Sequence, residues 1–237
     1  MAEEPAQPSL RPRDDQAAQE LDAIATALAH DLRAPLRAID GFSRILLANH
    51  GETLPDQTQH YLALVRDAGT ELADLLDDLV EVVEMTRVPL DPREVDPAQL
   101  ARELIDAVLE PRADGRAVTW TVGDLPRCRA DQTLLRRLIE ELLDNALKFT
   151  APHERAQIEL VWDEDAGAYA VRDDGIGLDG ELPDQAFAIF GRLNGREAFA
   201  GTGSGLAIAA RIAQRHGGRV WGRGTPGGGA TVWFTIG

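Results

Sequence analysis

The sequence holds a single cysteine, Cys128. That excludes an internal disulfide and suits a reducing compartment. No apolar run approaches the roughly 20 residues that span a bilayer. The N-terminus lacks the basic-then-apolar pattern of a signal peptide. Basic residues are scarce: 24 Lys and Arg stand against 40 Asp and Glu, a net charge of −16. So acidic a chain has no footing for non-specific nucleic-acid binding or for docking on an anionic membrane. These absences point to a soluble cytoplasmic protein with neither nucleic acid nor membrane as partner.

What is present is enough apolar residue, 44% of 237, for one or two domains with real cores. Residues 1–13 hold three prolines and little to bury, and read as a disordered tail. From about Asp14 to Asn49 the apolar positions Leu21, Ala25, Leu28, Leu32, Pro35, Ile39, Phe42 and Leu46 step by four and three, the spacing of a bundle seam. His50 to Asp56 is a turn with Gly51 and Pro55 as breakers. A second helix runs from about Asp56 to Arg87, with a seam of Val65, Ala68, Leu72, Leu75, Leu79 and Val82. Leu62, Leu76 and Val83 widen its stripe, and seven acids with no base lie between Asp67 and Glu84. Two antiparallel helices cannot bury a two-sided stripe alone, so residues 14–88 are expected to form a hairpin that pairs into a dimeric four-helix bundle.

Within helix 1, His30 falls between seam positions and is expected to face outward beside Asp31. Pro35 removes a backbone donor and should bend the helix just beyond it.

After the linker at Val88–Pro92, residues 94–237 read as an α/β sandwich: one mixed sheet with helices over one face. Asp96 caps a helix with Pro97 at its first position, ending near Glu110. Ala117–Val122, Gln157–Trp162, Tyr169–Arg172, Arg219–Gly222 and Ala230–Ile236 read as strands. Asp131 caps a helix to about Phe149, and Gly205–His216 is a further helix.

Three polar clusters carry chemistry. Glu141, Asn145 and Lys148 share a helix face, where a carboxylate and an amide suit magnesium and the lysine suits phosphate. Asp173-Asp174-Gly175-Ile176-Gly177 follows a strand; its glycines let backbone approach a flat ligand, and Asp173 can accept from an exocyclic amine. Gly201-Thr202-Gly203-Ser204-Gly205-Leu206 opens a helix, a backbone anion site suited to phosphates but not a Walker loop.

Taken in order, these segments resemble the sensor histidine kinases of two-component signalling, in particular the output module of bacterial phytochromes. His30-Asp31-Leu32-Arg33-Ala34-Pro35-Leu36 is similar to the family's phospho-acceptor box, and Asn145-Ala146-Leu147-Lys148-Phe149 to its asparagine box. Asp173 to Gly177 and Gly201 to Gly205 resemble its two glycine boxes, and Phe187-Ala188-Ile189-Phe190-Gly191-Arg192-Leu193 its phenylalanine box. The resemblance implies that His30 takes the γ-phosphoryl of ATP, with Asp31 orienting the imidazole, before transfer to an aspartate on a response-regulator receiver domain. Asn145, with Glu141, would hold Mg2+; Lys148 and Arg192 would lie near the phosphates. Asp173, Gly175 and Gly177 would take the adenine. Phe190 and the stretch 178–200 would form a lid, and Gly201, Thr202, Gly203, Ser204, Gly205 and Leu206 the phosphate loop.

Two departures from the family pattern stand out. Glu141 replaces the usual Asn four residues before Asn145, as in gyrase- and Hsp90-type ATPases, which keeps a hydrolytic ATPase reading open. Ala34 has no hydrogen-bonding side chain where dephosphorylating kinases carry Thr or Asn, so weak phosphatase activity is expected. A kinase-like scaffold with weak transfer is the other alternative. No sensor domain is visible, so the signal is expected from a partner protein or through an extension of helix 1.

Overall fold

The computed structural model describes residues 12–113, 115–188, 191 and 203–237. The chain falls into two compact units, divided after Glu84.

The first unit is a helical hairpin. Helix α1, Pro12–His50, continues through Pro35 as an unbroken helix. A short 3₁₀ turn, Gly51–Thr53, reverses the chain, with the Thr53 hydroxyl and the Leu54 N–H both donating to the His50 carbonyl. Helix α2 then runs Asp56–Arg87. Ala29, Leu36 and Leu76 are buried between the helices, with Ala73 and Val80 packed against them. Two ion pairs fix the antiparallel register: Arg33 to Asp77 at 2.6 Å and Arg66 to Asp40 at 3.1 Å.

This geometry sorts the apolar positions into two stripes. Leu76, which widened the α2 pattern, is on the face that closes the hairpin. Much of the four-three seams points elsewhere: Leu28, Leu32, Ile39, Phe42 and Leu46 of α1, and Val65 and Leu72 of α2, are exposed, whereas Val82 of the α2 seam is buried. The regular seam is therefore not the contact within the hairpin but a second apolar stripe on its outside.

The second unit is the sandwich. A six-stranded sheet has the order β2-β4-β5-β8-β7-β6, and a separate two-stranded ribbon pairs β1 with β3. The strands are β1 Arg93–Val95, β2 Ala117–Val122, β3 Cys128–Ala130, β4 Arg155–Asp163, β5 Ala168–Asp173, β6 Gly180–Glu181, β7 Val220–Gly224 and β8 Ala230–Phe234. Only β2 and β4 run parallel; the other neighbours are antiparallel. Helix α3, Pro97–Leu104, continues through a π-turn at Ile105–Leu109 into α4, Glu110–Arg112. The long helix is α5, Gln132–Phe149, and α6 is Gly205–Arg215.

One face of the sheet is the core. Ile158, Leu160 and Phe234 are fully buried there, as are Leu135, Leu138, Ile139, Leu142 and Leu143 of α5 and Ile208 and Ile212 of α6. The opposite face carries stacked Trp221 and Trp233, with the Arg219 guanidinium 4.5 Å from the Trp221 ring centre. Among the described residues, no helix is long and apolar enough to cross a membrane.

The ends of α5 are set by side chains. Asp131 accepts from the Thr133 and Leu134 N–H groups, as its cap position requires. Burial works to raise its carboxyl, yet the backbone donors Asp91, Leu134 and Thr133, together with His216, hold it below the ordinary carboxylate range. At the other end Arg116 donates to the last-turn carbonyls of Leu147 and to Thr150. The helix that carries the asparagine box is thus clamped at both ends.

Candidate functional site

His30 lies on the exposed side of α1. Its side chain is 81% exposed and that of Asp31 82%, with His30 Nδ1 3.4 Å from Asp31 Oδ1. The buried neighbour Ala29 faces α2, which turns the following residue outward. One turn on, Arg33 donates from Nε and Nη2 to Asp77, so the acceptor turn is tied to the opposite helix. Ala34 is exposed.

In the second unit the polar clusters converge on the C-terminal half of α5. The first turn of α6 comes down on its Glu141–Asn145 face. A Cβ at Gly205 would stand 2.4 Å from Glu141 Oε2 and 3.1 Å from Asn145 Nδ2. Only a residue without a side chain lets α6 begin there. Ser204, at the N-cap position, is buried and makes no side-chain capping bond. The two helices are fastened again at their far ends, where buried His216 accepts from the Asp131 N–H at 3.0 Å and bonds the Ile212 carbonyl through Nδ1.

Asp173 ends β5, and the loop after it meets the C-terminal end of α5. It accepts from the Gly175 N–H at 2.9 Å. Burial lifts its carboxyl above the usual carboxylate range, against the pull of the Gly175 and Ala230 N–H donors and of His153; Asp174 adds to the lift. The Ile176 N–H donates to the Phe149 carbonyl, which joins the loop to the end of α5.

The glycines of this loop are required by crowding within the fold. A Cβ at Gly175 would meet the Phe149 carbonyl at 2.5 Å, and one at Gly177 the Thr225 carbonyl at 1.9 Å, where φ is +65°. Both positions are pressed against the protein's own backbone, at the end of α5 and at the β7–β8 turn. They fasten the loop that follows Asp173 to the end of α5 and to the β7–β8 turn.

Glu141, Asn145, Asp173, Gly175, Gly177, Ser204, Gly205 and the terminal turn bearing Lys148 are thus brought to one side of the sandwich. Leu206 lies in the first turn of α6, and Gly203 precedes it with φ +80°. Phe190, Arg192, Gly201 and Thr202 lie outside the described residues, as do 189, 190 and 192–200 of the expected lid. Sequence reasoning missed Arg137, whose Nη2 is 2.6 Å from Glu141 Oε1. Its signal was available: opposite charges four residues apart on a helix. It also missed Arg116 and His216, which lie far from the motifs in sequence.

The donors on α5 fit a magnesium ion only in part. One amide and one carboxylate are oxygen ligands of the right hardness, and no group of three or more His, Cys, Asp or Glu is poised for a metal among the described residues. Such a pair suits an ion whose remaining ligands are phosphate oxygens and water.

Comparison with known proteins agrees with this geometry. Residues 20–87 match the His Kinase A (phospho-acceptor) domain. Residues 130–237 match the histidine kinase-, DNA gyrase B- and HSP90-like ATPase family. Phytochrome-like protein Cph1 of Synechocystis sp. is 30% identical over 226 residues, covering 92% of this chain and 29% of that protein. The aerobic respiration control sensor protein ArcB of Escherichia coli is 29% identical over 231 residues, covering 94% and 29%. Full-length ShkA, solved in complex with AMPPNP, superposes with a TM-score of 0.59 at 28% identity, covering 90% of this chain and 45% of that one. The chain spans less than a third of the length of these curated relatives. With a phospho-acceptor hairpin followed by an ATP-binding sandwich, it belongs to the sensor histidine kinases and has the phytochrome-like form of their output module.

Proposed function

We propose that this chain is an ATP-dependent protein-histidine kinase that phosphorylates His30 and passes the phosphoryl group to an aspartate of a response-regulator receiver domain. The observation that carries the reading is the exposed imidazole of His30 beside Asp31, on a chain whose other unit sets the start of α6 on the Glu141–Asn145 face and the Asp173 loop at the end of the same helix. With Nδ1 protonated against Asp31, Nε2 presents its lone pair to the γ-phosphorus of ATP. The new N–P bond forms as the bond to the bridging oxygen breaks and ADP leaves. The displaced imidazole proton goes to Asp31 or water. Histidine's near-neutral pKa keeps the free base available, and the remaining demand is positioning and charge stabilisation.

In that role Asp173 accepts from the adenine amine, and the first turn of α6 meets the phosphates with its backbone N–H groups. Lys148 and Arg192 add positive charge. Asn145 and Glu141 are the residues that would hold magnesium, which supplies charge neutralisation of the phosphates when bound. The working unit is a homodimer, supported by the apolar stripe left outside the hairpin, with input from a separate sensor or a preceding segment. Its place is the cytoplasm, where ATP and the regulator are found. The hydrolytic alternative is disfavoured because it gives the acceptor helix and its exposed His30 nothing to do.

The test is incubation with γ-labelled ATP. Wild type should take up acid-labile, alkali-stable label that His30→Ala loses. Nucleotide binding without label would instead support the scaffold, and free phosphate without label the hydrolase.

A further inference from the structure

Glu141 is placed unlike a ligand waiting for a metal. Its Oε1 is 2.6 Å from Arg137 Nη2, and the pair is partly shielded, with side-chain exposures of 31% for Arg137 and 15% for Glu141. Its Oε2 lies against the first residue of α6, where a Cβ at Gly205 would come within 2.4 Å. One oxygen is thus held by a cation and the other packed on a helix N-terminus, the place where an anion is favoured. A guanidinium and a divalent ion compete for the same carboxylate, and each repels the other. Arg137 also has a second acid within reach: its Nη1 is 3.7 Å from Glu140 Oε2. Letting go of Glu141 therefore does not strand the guanidinium without a counter-ion.

We propose that Arg137 sets the magnesium requirement of nucleotide binding, by holding the Glu141 carboxylate against α6 until a metal-bound triphosphate displaces it. This rests on the nucleotide site proposed above. Arg137 acts here as a positioning residue working through Glu141. Removing it frees the carboxylate and lowers the magnesium concentration at which nucleotide binds.

The test uses the full chain and a non-hydrolysable ATP analogue, with binding followed by calorimetry across a magnesium titration and thermal unfolding as a check on the fold. Arg137→Ala should reduce the magnesium needed for half-maximal binding by roughly three- to tenfold, the scale of a partly shielded ion pair. Arg137→Lys, which keeps the charge but loses the fork, should fall between and serves if the alanine variant is unstable. In a Glu141→Gln background the Arg137 substitution should change nothing. An unchanged or raised magnesium requirement in Arg137→Ala overturns the proposal while leaving the site intact. A wild type that binds no analogue at any magnesium concentration overturns the site itself.

Discussion

Among the described residues of α1, Phe42 is the most exposed large apolar side chain, with 68% of its surface open, and Leu28, Ile39 and Leu46 share its stripe. If this stripe is the dimer seam, Phe42→Ala must weaken the dimer by an amount the exposure fixes. A phenylalanine offers on the order of 200 Å², so about 140 Å² remains to be buried, of which about 100 Å² lies beyond Cβ. At about 25 cal/mol per Å² that is ~2.5 kcal/mol for each protomer. Two copies per dimer give ~5 kcal/mol, or a dissociation constant raised by between three and four powers of ten. Sedimentation equilibrium on wild type and variant measures it directly. The hairpin itself should survive, because Phe42 is not on the Ala29–Leu36–Leu76 face that closes it, so helical circular dichroism should be retained at concentrations where the variant is still dimeric. A wild type that is monomeric across the micromolar range, or a variant whose dissociation constant moves by less than tenfold, refutes the assignment of this stripe.

Two further substitutions test the nucleotide site. Gly205→Ala drives a methyl into Glu141 and Asn145; α6 must lift from α5, costing about 1–3 kcal/mol of stability as overpacking does and most of the nucleotide affinity, read by thermal unfolding and calorimetry together. Asp173→Asn should move those readouts in opposite directions. Its raised carboxyl takes up a proton more readily folded than unfolded, so its contribution to stability grows as pH falls, and the ionised form is a burden at neutral pH. The neutral amide lifts that burden, so the melting temperature should hold or rise. Its single carbonyl oxygen is already claimed by the Gly175 N–H, which turns an NH2 toward the adenine amine, donor against donor. Nucleotide affinity should then fall at least about tenfold, the scale of one hydrogen bond to a charged group. Wild-type affinity should itself decline on acidification, and a flat pH profile would count against Asp173 as the adenine acceptor.

Much of the fold was legible because local rules and packing agree here. The Asp96–Pro97 and Asp131 caps start their helices as read. Strand β2 spans the Val-Thr-Trp-Thr alternation. What escaped was pairing that the local sequence does not encode. The β1–β3 ribbon joins two three-residue segments more than thirty positions apart, and β6 is two residues long. Such edges are set by their partners and leave no period to detect. The hairpin shows a subtler limit. Periodicity located the outer stripe of α1 and both sides of the α2 stripe but passed over Ala29 and Leu36, and so did not show which face closes on its neighbour. That choice was made by ion pairs, Arg33 with Asp77 and Arg66 with Asp40, and by small residues such as Ala29 and Ala73 that let the helices approach.

The candidate site repeats that lesson in its chemistry. Residue types and spacing placed Glu141 and Asn145 on one face, yet gave Glu141 two readings, metal ligand or base. The opposite charge at Arg137 was visible, but an exposed i, i+4 pair is worth only about 0.2–0.5 kcal/mol and gave no cause to choose. What gives the pair its weight is the arrival of α6, a segment more than sixty residues later, whose first turn shields Glu141 and takes up its second oxygen. The chemical behaviour of this carboxylate is therefore a tertiary property. Its oxygens are shared between a cation on its own helix and the end of another, and any ligand that enters must trade with both.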